Sequence, residues 1–141
     1  MNILLRRAAL LAFLTVAGAH AQTTAPLPAD KVLSSGVALK WTTAGAGASP
    51  QATDTVQVHY RGSLPDGKEF DSSFKRGEPT SFPLNRVVPC WTQALQAMKV
   101  GDTVHITCPP ATAYGERGIP GTIAPNTVLT FQVQLLAIKG K

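Results

Sequence analysis

Long apolar runs are almost absent from these 141 residues. The one that exists, Ala8 to Ala17, is too short for the roughly 20 residues that cross a bilayer. No transmembrane helix is therefore expected. Arg6 and Arg7 precede the run, and Ala19-His20-Ala21 follows it with the small-x-small pattern of a cleavage site. Residues 1–21 read as a signal peptide cut after Ala21, with an N-terminal core helix as the alternative. The Arg6-Arg7 pair also admits twin-arginine export, though ordinary secretion is the expected route. No cysteine lies near the cut, so no lipid anchor is expected. Acidic residues are few as well, 8 against 13 Lys and Arg, for a formal charge of +5. Past Ala21 the 11 bases are scattered, with no run longer than Lys75-Arg76. The basic stripe of a nucleic-acid binder is lacking.

Cysteine is scarcer still. Cys90 and Cys108 are the only two, and with His59 and His105 they lack the paired spacing of a zinc site. No metal and no cofactor are expected. After export the two cysteines would meet an oxidising compartment, which permits a single disulfide. P-loop and GxGxxG motifs are missing. Neither His59 nor His105 has a nucleophile motif beside it.

What remains reads as one domain, 32–141, behind a disordered tether, 22–31, rich in Thr, Ala and Pro. Val32 to Trp41 is expected as an edge strand, and Thr42 to Thr53 as a loop. Val56, Val58 and Tyr60 then alternate with Gln57, His59 and Arg61. The same period of two returns at Val104, Ile106 and Cys108, and at Leu129, Phe131, Val133 and Leu135. Such alternation marks strands with one wet face, which assigns both histidines to the solvent side. Shorter strands are expected at Glu69 to Asp71 and Thr80 to Leu84, with a turn at Pro65-Asp66-Gly67. Only Trp91, Leu95 and Met98 have helical spacing, and Gly101 is the expected stop. The fold class is α+β, a curved antiparallel β-sheet wrapped around one short helix.

Eight aromatic side chains lie beyond Ala21, and alternation puts Tyr60, Trp91 and Phe131 on the inner face. Filling a small core explains aromatics in general. The surrounding motifs are more specific. Val58-His59-Tyr60-Arg61-Gly62, Gly67-Lys68-Glu69-Phe70-Asp71-Ser72-Ser73 and Val87-Val88-Pro89-Cys90-Trp91 occur in that order. Ala113-Tyr114-Gly115, Gly118-Ile119-Pro120 and the segment from Leu129 to Leu136 follow. From about Val37 to Ile138 the chain resembles the FKBP-type peptidyl-prolyl cis-trans isomerases, in their short exported bacterial form.

The resemblance implies a half-barrel of five or six antiparallel strands around one helix, with a shallow aromatic pocket. It implies catalytic roles for Tyr60, Phe70, Asp71, Trp91, Tyr114 and Phe131, with Trp91 as the floor and the Tyr114 hydroxyl at the rim. Phe82, Val87, Val88 and Ile119 would bind substrate, the Val88 N–H holding a carbonyl and Ile119 lying in a flexible overhanging loop. Asp71 would be tied to Tyr60 or face the substrate. Thr80, Cys90 and Ala124 depart from the commoner bulky apolar residue, Gly and Pro at their positions. The implied partners are proline-containing polypeptides and macrolide inhibitors, for a periplasmic monomer with no membrane anchor and no nucleic acid. A non-enzymatic, chaperone-like module that holds apolar or Pro-containing segments is the alternative. Cys108 shares its strand face with Val104 and Ile106, which look towards the helix that Cys90 begins. A Cys90–Cys108 bond is expected, with two buried thiols as the alternative.

Overall fold

In the computed structural model, residues 26–140 are described; the expected signal peptide and its cleavage site lie outside them. Residues that alternate in the sequence alternate in burial. Along β3 (Thr55–Ser63), Val56, Val58 and Tyr60 are buried while Gln57, His59 and Arg61 are not. β6 (Thr103–Cys108) and β7 (Leu129–Ile138) behave the same way. β7 is the central strand, antiparallel to β3 on one side and β6 on the other. β2 (Ala38–Thr43) extends the sheet beyond β6, and β1 (Lys31–Val32) beyond β2. The far edge of β3 is shared by β4 (Glu69–Ser72) and β5 (Thr80–Pro83), which pair with its two ends. Among the described residues the sheet thus has seven strands in six positions.

Several elements differ from the sequence reading. The expected edge strand Val32 to Trp41 is a hairpin, β1 and β2, turned at Gly36 with φ +92°. Only glycine adopts that value without a Cβ penalty, and the turn closes through the Gly36 N–H to the Leu33 carbonyl. Lys31 accordingly belongs to β1 and not to the tether. A one-turn helix, α1 (Ser73–Arg76), lies between β4 and β5. The Ser72 side chain accepts from the Lys75 N–H at its start, a common N-cap arrangement. Four residues carry no periodicity to detect. Leu84 leaves the strand for a 3₁₀ turn, Leu84–Arg86.

The expected helix is α2 (Pro89–Gln96), with Pro at its first position, where a missing N–H costs nothing. It ends at Ala97 and not at Gly101. The Ala97 and Met98 N–H groups bond three residues back and tighten the last turn, and Met98 is fully buried. Gly101 instead lies against Gly45, whose Cα a Cβ would meet at 2.8 Å. α2 buries Cys90, Trp91, Ala94 and Leu95 against the concave face. The expected Cys90–Cys108 disulfide is present and ties the start of α2 to the end of β6. Closing a loop of this length stabilises by about 3 kcal/mol in the chain-entropy model.

Candidate functional site

Where the sheet curls past the start of α2, its inner face opens into a bowl of about 370 Å³. Trp91 is the floor. Its ring meets Tyr60, Phe82 and Phe131 edge-on, at centroid distances of 5.1, 5.3 and 5.4 Å. Phe70 adds a fourth wall against Phe131 at 5.7 Å. T-shaped contacts of this kind suit the aromatic quadrupole and hold each ring in one orientation. Register explains how such distant residues meet. Gly62 of β3 lies opposite Phe131 of β7, and Ile106 of β6 flanks Phe131 on the other side. A Cβ on Gly62 would stand 2.6 Å from Phe70 and 2.8 Å from Phe131, so the two rings close over a position that only glycine fits. Val87 and Val88 complete the apolar wall, and Tyr114 stands half-exposed at the mouth.

One polar cluster borders these rings. The Tyr60 hydroxyl donates to Asp71 Oδ2 at 2.5 Å. Arg76, from α1, donates to Asp71 Oδ1 at 2.7 Å, to the Tyr60 hydroxyl at 3.1 Å and to Thr80 Oγ1 at 3.2 Å. Buried Ser73 accepts the Tyr60 backbone N–H at 2.7 Å. Asp71 is therefore tied to Tyr60, the first of its two expected arrangements. Burial, the largest influence, pushes the Asp71 pKa up, but hydrogen bonds from Tyr60 and Arg76 together outweigh it and hold the carboxyl below its ordinary value. Burial, with the bond to Asp71, raises the Tyr60 phenol. At neutral pH the pair is a phenol and a carboxylate, with no proton to exchange.

A family model described as FKBP-type peptidyl-prolyl cis-trans isomerase matches residues 47–136. The chain belongs to this family. It is 48% identical over 109 residues to the FKBP-type isomerase FkpA of Escherichia coli K12, covering 77% of this chain and 40% of that protein. It is 47% identical over 114 residues to the isomerase Mip of Coxiella burnetii, covering 81% and 50%. The chain thus spans half or less of the length of these curated relatives. The crystal structure of Escherichia coli FkpA superposes with a TM-score of 0.75 at 47% identity, over 78% of this chain and 51% of that one. A peptidyl-prolyl cis-trans isomerase structure from Pseudomonas syringae gives a TM-score of 0.74 at 40% identity, covering 79% and 81%.

Within this FKBP-type fold, nine of the ten expected site residues line the bowl, from Tyr60 to Phe131. Ile119 does not. It packs half-buried on the core, in a turn closed by reciprocal bonds between Ile119 and Ile123. Two residues escaped the sequence reading. Arg86 lines the mouth, and Arg76 anchors the polar cluster; an isolated arginine in a loop or a four-residue helix carries no periodic signal. Thr80, expected only to lower a wall, accepts a hydrogen bond from Arg76. His59 is not openly solvated, because α1 covers it. Its ring stacks on Phe74 at 4.7 Å and Nδ1 lies 2.9 Å from Ser73 Oγ. His105 is exposed. Both histidines stay on the face away from the bowl. Among the described residues no group of three or more His, Cys, Asp or Glu gathers to hold a metal, and no helix is long and apolar enough to cross a membrane.

Proposed function

We propose that this domain accelerates cis–trans rotation about X-Pro bonds of exported polypeptides. The observation that carries the reading is the apolar bowl built from five edge-packed rings and two valines, beside a polar cluster already satisfied within itself. Amide rotation has a barrier of about 18–20 kcal/mol because the planar state has partial C–N double-bond character. In X-Pro bonds cis and trans differ by only about 0.5–1 kcal/mol, yet exchange takes tens of seconds or longer. No bond breaks, so neither nucleophile nor proton transfer is needed. Water solvates the dipolar planar amide better than the twisted one. Transfer into the bowl removes that advantage and brings the ground state closer to the transition state. The Val88 N–H and the Tyr114 hydroxyl would add donors to the rotated carbonyl, and only such differential stabilisation raises the rate.

Tyr60, Phe70, Phe82, Trp91 and Phe131 would seat the proline ring. Asp71 and Arg76 hold Tyr60 in place, and their mutual neutralisation keeps a bare charge out of the apolar cavity. Macrolides would occupy the same bowl and compete with peptide. The site is complete within one chain, which supports a monomer. The apolar run behind Arg6-Arg7 and the Cys90–Cys108 bond support export to the periplasm with a mature start at Gln22.

A proline-limited refolding assay tests this. The mature protein should accelerate the slow phase in proportion to its concentration, with a rate nearly flat from about pH 6 to 8, since no imidazole borders the bowl. Tyr114→Phe, which removes one neutral hydrogen bond, should cost roughly 2- to 13-fold. Failure of folded protein to speed the slow phase would sink the proposal. Its mass, taken from the extracytoplasmic fraction, should correspond to a chain beginning at Gln22.

A further inference from the structure

Arg86 ends the 3₁₀ turn that leads into the Val87-Val88 wall, and it is exposed at the mouth of the bowl. Among the described residues the only other charged side chain lining the bowl is Asp71, which Arg76 neutralises. The two ion pairs among the described residues are Arg76–Asp71 and Lys75–Glu69, and neither includes Arg86. Glu116 and Arg117, beyond Tyr114, are adjacent, exposed and opposite in charge, and neither lines the bowl. The mouth therefore carries one uncompensated positive charge, fixed on the wall that presents the Val88 N–H.

We infer that Arg86 selects substrates by charge, favouring polypeptides with an acidic side chain next to the proline. The inference rests on the prolyl isomerase reading. Arg86 and Val88 are two residues apart, at most about 7 Å along the chain. A peptide whose carbonyl meets the Val88 N–H thus carries its neighbouring side chains within reach of the guanidinium. Guanidinium suits the task because its planar fork matches a carboxylate. A lysine-bearing peptide meets repulsion at the same place, so attraction and repulsion act in opposite directions on the two substrates.

Two peptide series separate this inference from the reading beneath it, one varying the residue before proline and one the residue after, each with Glu, Gln or Lys. Exchange rates and dissociation constants are measured by NMR without a coupling protease. In at least one series kcat/KM should favour Glu over Lys by about 3- to 10-fold at low ionic strength, the range expected of exposed charges acting in opposite senses. The ratio should collapse towards one near 1 M salt. Arg86→Gln should bring it close to one, and Arg86→Glu should invert it. Lys139→Gln, an equal change in net charge away from the bowl, should leave it unaltered. A ratio near one in both series, or one that responds equally to Arg86→Gln and Lys139→Gln, overturns the inference. If no peptide is isomerised, the catalytic reading fails. Charge selection then stands only if Glu peptides still bind more tightly and Arg86→Gln removes the difference.

Discussion

Asp71 and Asp102 each accept a hydrogen bond from an aromatic side chain, and the two regions around them show how one device serves different ends. Asp102 is 3% exposed and accepts from the Trp41 indole N–H at 2.7 Å. It also accepts from the backbone N–H groups of Gly45 and Lys99, at 2.6 and 2.9 Å. Three donors from three segments converge there, locking the entry to β6 against β2 and the loop after it. Asp71 keeps 42% of its side chain exposed and shares its charge with Arg76. Burial of the aromatic partner does not separate the two, because Trp41 and Tyr60 are each 5% exposed. The surroundings do. Among the described residues, Trp41 is the only aromatic bordering a hollow of about 480 Å³ that Pro26, Pro28, Ala29 and Asp30 also line. Tyr60 faces Phe82 and Trp91 in an open bowl. A carboxylate–aromatic pair becomes part of a site when the ring it positions is one wall among several.

Breaking the Asp102 knot should give the largest effect. Asp102→Ala leaves three donors without their acceptor, two of them on the backbone, and should cost about 2–4 kcal/mol of stability. Isomerisation per folded molecule should stay within about twofold, since the bowl is untouched. Urea denaturation beside the refolding assay measures both. An activity loss as deep as the stability loss would erase the distinction between the two regions.

Asp71→Asn should show the reverse pattern. The amide weakens the hold on Tyr60 and leaves Arg76 without its counter-ion, so kcat/KM should fall roughly tenfold, as when a charged hydrogen bond is weakened. The urea midpoint should move little, because exposed pairs contribute weakly to stability.

The smallest effect sharpens the contrast through acid. The Asp71 pKa lies below its ordinary 3.8 in the folded state, so its stabilisation is complete above that value and is lost as pH falls through the folded one. Thermal melts should therefore show a modest decline beginning just below about pH 4, shallower in Asp71→Asn. An unchanged slope in that variant would mean that the pair does not contribute.

The strands β3, β6 and β7 were legible because each presents a clean period of two, and α2 because Trp91, Leu95 and Met98 mark one face. The cysteine pair was legible once those elements were placed, since Cys90 and Cys108 fall on facing surfaces. The hairpin at Gly36 was not, because β1 is only two residues long, too short to show a period of its own. Asp102 was equally silent, as one carboxylate after a glycine looks like any turn. Arg76 and Arg86 gave no signal, because their roles depend on where short, aperiodic segments are carried by the strands beside them.

What the sequence by itself determined is which side chains turn inward and where the one amphipathic helix lies, because both follow from local backbone periods. Which inward residues share one cavity was decided only by tertiary structure. Register sets Gly62 opposite Phe131, and the pairing of β4 and β5 with opposite ends of β3 brings Asp71 and Arg76 to the Tyr60 hydroxyl and Thr80 to Arg76. Those placements are summed over many weak contacts along whole strands, and no short stretch of chain contains them.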